Sequence, residues 1–583
     1  MLIFYDYEVF NYNWLVVFIN PATEEYTIIW DDRRALQEFH NKHKDCIFIG
    51  YNSRQYDQFI HKGILLGFNP KEINDHIIVK GYSGYSFSSE FNKIPFITYD
   101  VMGSSIISLK TLEGFMGNNI KESDVDFNIR RELTPAEKKL TEKYCIHDVE
   151  QTIEVFTRRV SDFNSHMELI KRFNLPLSYM SKTQAQMSAE ILECEKVERS
   201  DEFEYEIVDT LRLKKYDFVR EWFEDAKKIN PRNDEQKKEF YNRTLEVNVC
   251  GVPHTFGWGG LHGAPAKPIH RKGLILHVDV NSYYPSIMIR YGLLTRNSRT
   301  PEKFKEIYDY RLQLKAEGKK KEQAPYKIVL NGTYGICKDK FNKAYDPRNA
   351  NAVCVNGQLM LLDLLEHLEG HCELIQSNTD GLIIMIPDTD EAFNLVDDIC
   401  YEWEQRTGMT LGLDIINEIY QKDVNNYLWL DNGKGERKGA YVKELNELDF
   451  DLPIINKCLV DYMTKKIPPE ITVNSCDNLM MFQKIVKLSG KYDYVEHNGT
   501  KYTYKSYRVF ASTDRRDGVI YKCKTNKRDK FANTPDRCFI ENGDINGVTV
   551  PAKLDRSYYI DLAKDRLQQF GIEEFIPQMT FNF

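Results

Sequence analysis

A chain of 583 residues is about twice the length at which single hydrophobic cores stop growing, so three or more domains are expected and a lone small module is excluded. Hydrophobic residues make up 42% and charged residues 28% of it, an ordinary globular composition that gives no reason to posit extensive disorder. The net charge of -9 is unevenly spread: residues 311–343 hold nine Lys and Arg against three acids, and residues 501–537 hold eleven against four, so two basic stretches sit on an acidic remainder.

Such stretches suit a phosphate backbone bound beside carboxylate-held metals, and they are equally compatible with two solvated lysine-rich faces. No apolar run approaches the roughly 18 residues that cross a bilayer, and the N-terminus lacks the basic and apolar regions of a signal peptide. A soluble, cytoplasmic protein is expected. Twelve scattered cysteines without a Cys-x-x-Cys pair read as reduced core thiols. No fixed-period repeat or low-complexity tract is present.

In chain order, the first 160 residues alternate β-rich runs at 2–5, 47–51 and 96–101 with helical stretches, ending in Thr134-Pro-Ala-Glu-Lys-Lys and a helix-like run to Arg159. An α/β domain is predicted there. Residues 161–250 are charged and mostly helical in pattern, and the Gly- and Pro-rich stretch 251–268 reads as a hinge or loop. A second domain opens with the buried-strand run 274–280, passes through a basic helical segment around Arg311 and returns to strand at 374–386, which predicts a hairpin with Asp380-Gly381 in its turn. Beyond about 442 only a further α+β region is assigned.

Asp6-Tyr-Glu8 ends an apolar strand, and positions two apart on a strand share a face, so the two carboxylates converge. An acidic pair at a strand end is more often a solvated edge or a helix cap. Asp57 and Asp148 add further acids. Four acids facing one another repel unless cations neutralise them, and hard oxygen ligands suit Mg²⁺ or Mn²⁺, two of which would support phosphodiester hydrolysis.

Farther along, Asp279 ends a strand and Asp380 caps the predicted hairpin, so the two could meet across one sheet and share two Mg²⁺ ions. Between them, Arg311-x-x-x-Lys315 and Lys327-x-x-x-Asn331 each place both side chains on one helical face. Cationic donors opposite two metals are what a nucleoside triphosphate requires. Taken singly, the Arg/Lys pair reads as a solvated face and Asp380-Gly381 as an ordinary turn.

The first set resembles the three exonuclease motifs of proofreading DNA polymerases, with Asp6-x-Glu8 as the first, Asn52 with Tyr56-Asp57 as the second and Tyr144-x-x-x-Asp148 as the third. That resemblance implies that Asp6, Glu8, Asp57 and Asp148 bind metal and that Tyr144 orients the attacking water. Ser108-Leu109-Lys-Thr-Leu112 is similar to an element that contacts single-stranded primer in phage enzymes, and it is equally a helix-capping serine before an amphipathic turn. The second set resembles family B DNA polymerases, with Asp279-x-x-Ser-Tyr-Tyr-Pro-Ser as motif A, Lys327-x-x-x-Asn-Gly-Thr-Tyr-Gly as motif B and Asn378-Thr-Asp380 as motif C.

By that resemblance Asp279, Asp380 and the Val280 carbonyl would hold the catalytic metals, and Tyr284 would be the steric gate against a ribose 2′-hydroxyl. Arg311, Lys315, Lys327 and Asn331 would grip the triphosphate, with Tyr334 against the nascent base pair. Gly259 and Gly260 resemble the Tyr-x-Gly-Gly linker with its aromatic shifted by one residue. Lys438 and Tyr441 resemble the primer-binding Lys-x-Tyr motif with one extra residue. Asn378 stands where motif C usually has a first Asp, and Gly332 where motif B commonly has Ser.

The resemblance covers residues 1–445. It implies a multidomain α/β and α+β chain: a ribonuclease-H-like exonuclease domain (1–160), a helical connector and template-binding loop (161–270), then a right-hand polymerase. The latter comprises palm (271–300 and 344–445), fingers (301–343), and a thumb with C-terminal region (446–583) inferred from position and basic charge. Expected partners are primer–template DNA, single-stranded DNA and dNTPs, with two Mg²⁺ or Mn²⁺ per active site, no membrane and a monomeric state. The intervals of 41 residues between motifs A and B and 45 between B and C leave no room for the insertions of protein-primed members. A compact, phage-like enzyme extending a nucleic-acid primer in the host cytoplasm is therefore expected. Protein-primed or primer-independent synthesis ranks second, and a nuclease or nucleic-acid-binding scaffold with an inactive palm third.

Overall fold

In the computed structural model, which describes residues 1–103, 106–229, 231 and 233–572, the apolar N-terminal run forms β1 (Leu2–Val9) at the centre of a mixed sheet. β2 (Trp14–Asn20) runs antiparallel to it and β3 (Glu25–Trp30) antiparallel to β2, whereas β4 (Ile47–Gly50) and then β5 (Thr98–Asp100) continue the other side in parallel. Alternation sorts the side chains of β1: Ile3, Tyr5, Tyr7 and Val9 enter a core with Val16, Phe18, Phe48 and Phe59, which leaves Asp6 and Glu8 on the opposite face.

Three helices carry the further groups near these acids. α1 (Asp57–Leu66) ends at Gly67, whose φ of 86° is a left-handed stop suited to glycine. α2 (Leu109–Phe115) is short. α3 (Pro135–Arg158) starts where the sequence signals it: the Thr134 side chain accepts from the Glu137 N–H, Glu137 accepts from the Thr134 N–H, and Pro135 occupies the first helical position. It packs on β1 and β2.

These elements belong to the first of two units, Met1–Lys182 with Leu445–Ile454 and Val473–Ile560. Its C-terminal portion contains two small antiparallel sheets, one of Lys484–Lys487, Ser506–Ala511 and Cys538–Ile540, the other of Thr500–Tyr502, Tyr494–His497, Ile520–Lys524 and Lys527–Lys530. The second unit holds Thr183–Glu444, Ile455–Thr472 and the chain from Asp561. The segment 446–583 is thus shared between both units, and its residues 573–583 lie outside the described residues.

The second unit is built on a nine-stranded sheet: β6 (Leu245–Val249), β7 (Val252–Phe256), β8 (His262–Gly263), β9 (Ile269–Val280), β10 (Glu373–Asn378), β11 (Gly381–Ile386), β12 (Leu411–Asp423), β13 (Asn426–Asp431) and β14 (Lys434–Lys438). Its order is β14-β13-β12-β9-β11-β10-β8-β7-β6. Helices α4 (Tyr283–Arg290), α5 (Pro301–Ala316), α6 (Lys320–Lys338) and α7 (Pro347–Leu368) belong to the same unit. α7 is buried along almost its whole length, against α4 and α6.

Three details differ from the sequence expectation. The stretch 251–268 contains β7 and β8, because its glycines and prolines sit in the turns and at edges of strands that pair within the large sheet. The 161–250 region is helical at Val160–Arg172, Gln184–Ile191, Asp217–Ala226 and Asp234–Tyr241, but it has a long irregular passage between the second and third of these and ends in a strand. The hairpin turn is Thr379-Asp380 and not Asp380-Gly381, since Asn378 pairs with Gly381 and Thr379 takes the left-handed conformation, φ 56°.

The chain is therefore a mixed α/β multidomain protein with several sheets. No helix among the described residues is long and apolar enough to cross a membrane.

Candidate active sites

In the first unit, α3 presents Tyr144, Cys145 and Asp148 at helical spacing toward the acidic face of β1. One carboxylate oxygen each of Asp6 and Glu8 and the Cys145 sulfur lie within 4.8 Å of one another. Asp57 opens α1 and accepts the Tyr7 N–H at 3.2 Å, which fastens it against β1.

Burial, followed by the charge of Asp57 for Asp6 and of Asp6 for Glu8, pushes both carboxyl groups well above the usual range. Asp57 is raised by burial to about 7 despite the N–H groups it accepts. Asp148 is raised by burial as well, although Lys110 opposes the shift. The Tyr144 hydroxyl is pushed up by burial and then by Asp148, Glu8 and Asp6, the groups it faces. Burial and the same acids raise the Cys145 thiol, so it stays protonated and donates toward the Asp6 carbonyl at 3.5 Å.

Four further side chains belong to this site and were not singled out from the sequence. Lys110 Nζ bonds Asp148 and, at 3.0 Å, Glu113 Oε1, and it lies 4.7 Å above the Tyr144 ring. Glu113, His147 and Asp148 make a second group of ligand atoms within 4.8 Å of one another. Asp100 accepts the N–H groups of Asn52, Arg54 and Met102 at 2.9 to 3.0 Å, which holds the loop where Asn52 takes a φ of 58°. The available signals were local: Lys110 stands inside the Ser108–Leu112 element, Glu113 three residues on, and His147 beside Asp148. Ser108 precedes α2 but bonds Thr111 Oγ1 at 2.9 Å and caps no backbone N–H, while Leu109 is the first residue of the helix.

In the second unit, β9 lies between β11 and β12, and Gly381 is the register partner of Asp279. The Val280 N–H donates to the Asp380 carbonyl at 2.7 Å, so the ends of motifs separated by a hundred residues in sequence are joined by backbone bonding. A cavity of about 450 Å³ opens there, lined by Asp279 and Val280 from β9, Asp380 from the hairpin turn, Tyr284 from α4, and Arg311, Lys315, Lys327 and Asn331 from α5 and α6. Asn281, Ser282, Gln323 and Thr379 also line it. Arg311 donates to Ser282 Oγ and, at 3.1 Å, to Gln323 Oε1, and Lys315 donates to Asn281 Oδ1 at 3.1 Å.

Burial and then the Asp380 charge raise Asp279 to about 6. Asp380 is also raised by burial, and the charges of Lys438, His277 and Lys327 act against that shift. The outlying predicted residues divide accordingly. Lys438 reaches the site through its charge, whereas Tyr441 lies beneath Arg566, 4.3 Å from its ring, outside the cavity. Tyr334 packs on Tyr284 with ring centroids 4.5 Å apart and does not line the cavity itself. Gly260 backs the Thr379-Asp380 turn, since a Cβ there would fall 2.6 Å from Thr379 Oγ1, while Gly259 faces open space. Asn378 donates to the Val424 carbonyl at 3.3 Å.

No protein-family model matches the chain, and no curated protein matches it.

Proposed function

We propose that this chain is a template-directed DNA polymerase of the family B kind, extending a primer with dNTPs, with a 3′–5′ proofreading exonuclease in its first unit. The observation that carries the reading is the convergence of Asp279, Asp380, Tyr284, Arg311, Lys315, Lys327 and Asn331, drawn from separate stretches of chain, around one cavity. On this reading the sheet around β9, β11 and β12 is the palm, α5 and α6 are the fingers, and the mixed sheet on β1 is a ribonuclease-H-like domain.

The donor chemistry fits divalent ions. Asp279 and Asp380 offer hard oxygens whose charged forms burial disfavours, and so do Asp6, Glu8, Asp57 and Asp148. Two Mg²⁺ or Mn²⁺ per site, when bound, would lower the pKa of a 3′-hydroxyl or water and stabilise the leaving oxygen. The chain's own side chains supply the rest. Arg311, Lys315 and Lys327 face the cavity as donors for the charge that grows on a triphosphate's leaving phosphates. Tyr284 lines the cavity and would meet the sugar of a bound nucleotide, with Tyr334 packed against its ring. In the first unit Tyr144 would orient the attacking water among the carboxylates it faces.

The test is extension of a 5′-labelled primer on a longer template with Mg²⁺, with and without dNTPs. Lengthening with dNTPs and stepwise shortening without them are expected; shortening in both would overturn the polymerase assignment and favour a nuclease. Asp279→Ala or Asp380→Ala should lower incorporation by about a thousandfold while shortening persists. Equal loss of both activities would contradict separate sites.

A further inference from the structure

Behind the Tyr284 ring lies a glycine that the local backbone does not require. Gly357 sits in the middle of α7, and its φ is not in the left-handed region, so an alanine would suit the helix better. Space is what is short there. A Cβ at this position would lie 3.2 Å from Tyr284 Cε1, 3.5 Å from Ile287 Cδ1 and 3.6 Å from Tyr283 Cε1. Tyr283 Oη donates to the Gly357 carbonyl at 2.6 Å, which ties α4 to α7 at this residue. The Tyr284 ring also meets Tyr334, so it is held between two neighbours. Tyr284 lines the cavity and neither Gly357 nor Tyr334 does, which puts both supports away from the space a nucleotide would fill.

We propose that Gly357 is a positioning residue for sugar selection: its missing side chain gives Tyr284 the room in which it rests and so sets how far the ring reaches toward the sugar. The inference rests on the reading of Tyr284 as the gate against a 2′-hydroxyl. A methyl group at 357 needs the ring to give by a few tenths of an ångström. Tyr334 blocks retreat on one flank and α7 fills the rear, so the displacement goes toward the cavity. A ribose carries one more oxygen than a deoxyribose at that wall and is penalised first.

The experiment measures KM and kcat for single dNTP and rNTP additions by the full chain and by Gly357→Ala, Tyr284→Ala and the double variant. Gly357→Ala should increase the preference for dNTP over rNTP roughly three- to tenfold, mainly through KM, and should have no such effect when Tyr284 is already Ala. An unchanged preference, or an equal change in both backgrounds, overturns the inference. Should Gly357→Ala not fold, Tyr283→Phe provides the opposite displacement: freed of its bond to the Gly357 carbonyl, α7 can back away, and the preference should fall. No change there also overturns it. Failures remain separable. A chain that adds no nucleotide refutes the polymerase reading, and a Tyr284→Ala variant with unaltered sugar preference refutes the gate. Loss of the Gly357 effect alone, with both of these intact, refutes this inference only.

Discussion

Lys110 shows how one side chain reorganises a cluster of acids. Burial alone would lower its pKa, yet Asp148 and Glu113 together hold it above its ordinary value. Its ammonium therefore stays charged and offsets part of the repulsion among the carboxylates. Replacing it with Met leaves Glu113 and Asp148 buried without that partner, and breaking such a pair costs about 3–5 kcal/mol. Lys110→Met is expected to lower the unfolding free energy by that order and to slow shortening of single-stranded DNA, with primer extension retained. A stability within about 0.5 kcal/mol of the parent in urea titration would refute the ion-pair account. Asp6, Glu8 and Asp148 were legible in the sequence because alternation on β1 and the turn of α3 are local periodicities, whereas Glu113 and Asp100 were not singled out. Lys110 was not, because its role comes from a tertiary approach of α2 to Asp148.

Among the elements, the strand Ser506–Ala511 carries the most consequential buried charge. Arg508 is fully buried, and its guanidinium donates to Gln483 Oε1 at 3.0 Å and to the carbonyls of Gly543, Asn118 and Gly114 at 2.6, 2.8 and 3.2 Å. Burial pulls its pKa down to about 10, which still leaves it charged at neutral pH. One planar side chain thus joins this strand to the end of α2, a geometry that a lysine ammonium cannot reproduce. Arg508→Lys and Arg508→Met are both expected to destabilise the first unit by about 3 kcal/mol or more, since several buried carbonyls lose their donors. Full rescue by Lys in thermal denaturation would mean that charge alone matters there. Helix α3 was readable from its capping box and proline, and α5 and α6 from their i, i+4 pairs. β7 and β8 were hidden, because glycine and proline signal turns whether or not the residues between them pair in a sheet.

For the molecule as a whole, the raised carboxylates set a pH dependence. A carboxyl whose folded pKa exceeds its unfolded value adds stability that is complete below the unfolded pKa and is lost as pH rises through the folded one. With Asp57 at about 7 and Asp6, Glu8 and Asp148 also raised, the cation-free first unit should lose stability between about pH 4 and pH 7. His40 and His61, joined at 3.0 Å and both lowered by burial, act in the opposite sense below about pH 6.5. Mg²⁺ distinguishes the two, because it competes with protons only for the acids. In calorimetry of a chain carrying Asp279→Ala and Asp380→Ala, Mg²⁺ should raise the melting temperature of the first unit at pH 8 and do little near pH 5. An equal increase at both pH values would show that these carboxylates are not its ligands. The sequence by itself determined what depends on near neighbours: which residues share a strand face or a helix face, where α3 begins, and that two groups of acids and one group of cations exist. Only the tertiary structure decided that the turn holding Asp380 is brought beside Asp279 on β9, that Lys110 enters the first group, that the chain after 445 is divided between two units, and that a glycine stands behind Tyr284. The physical reason is that repeat period and capping are properties of a few consecutive residues, whereas burial, ion pairing and close approach are set by partners distant in the chain.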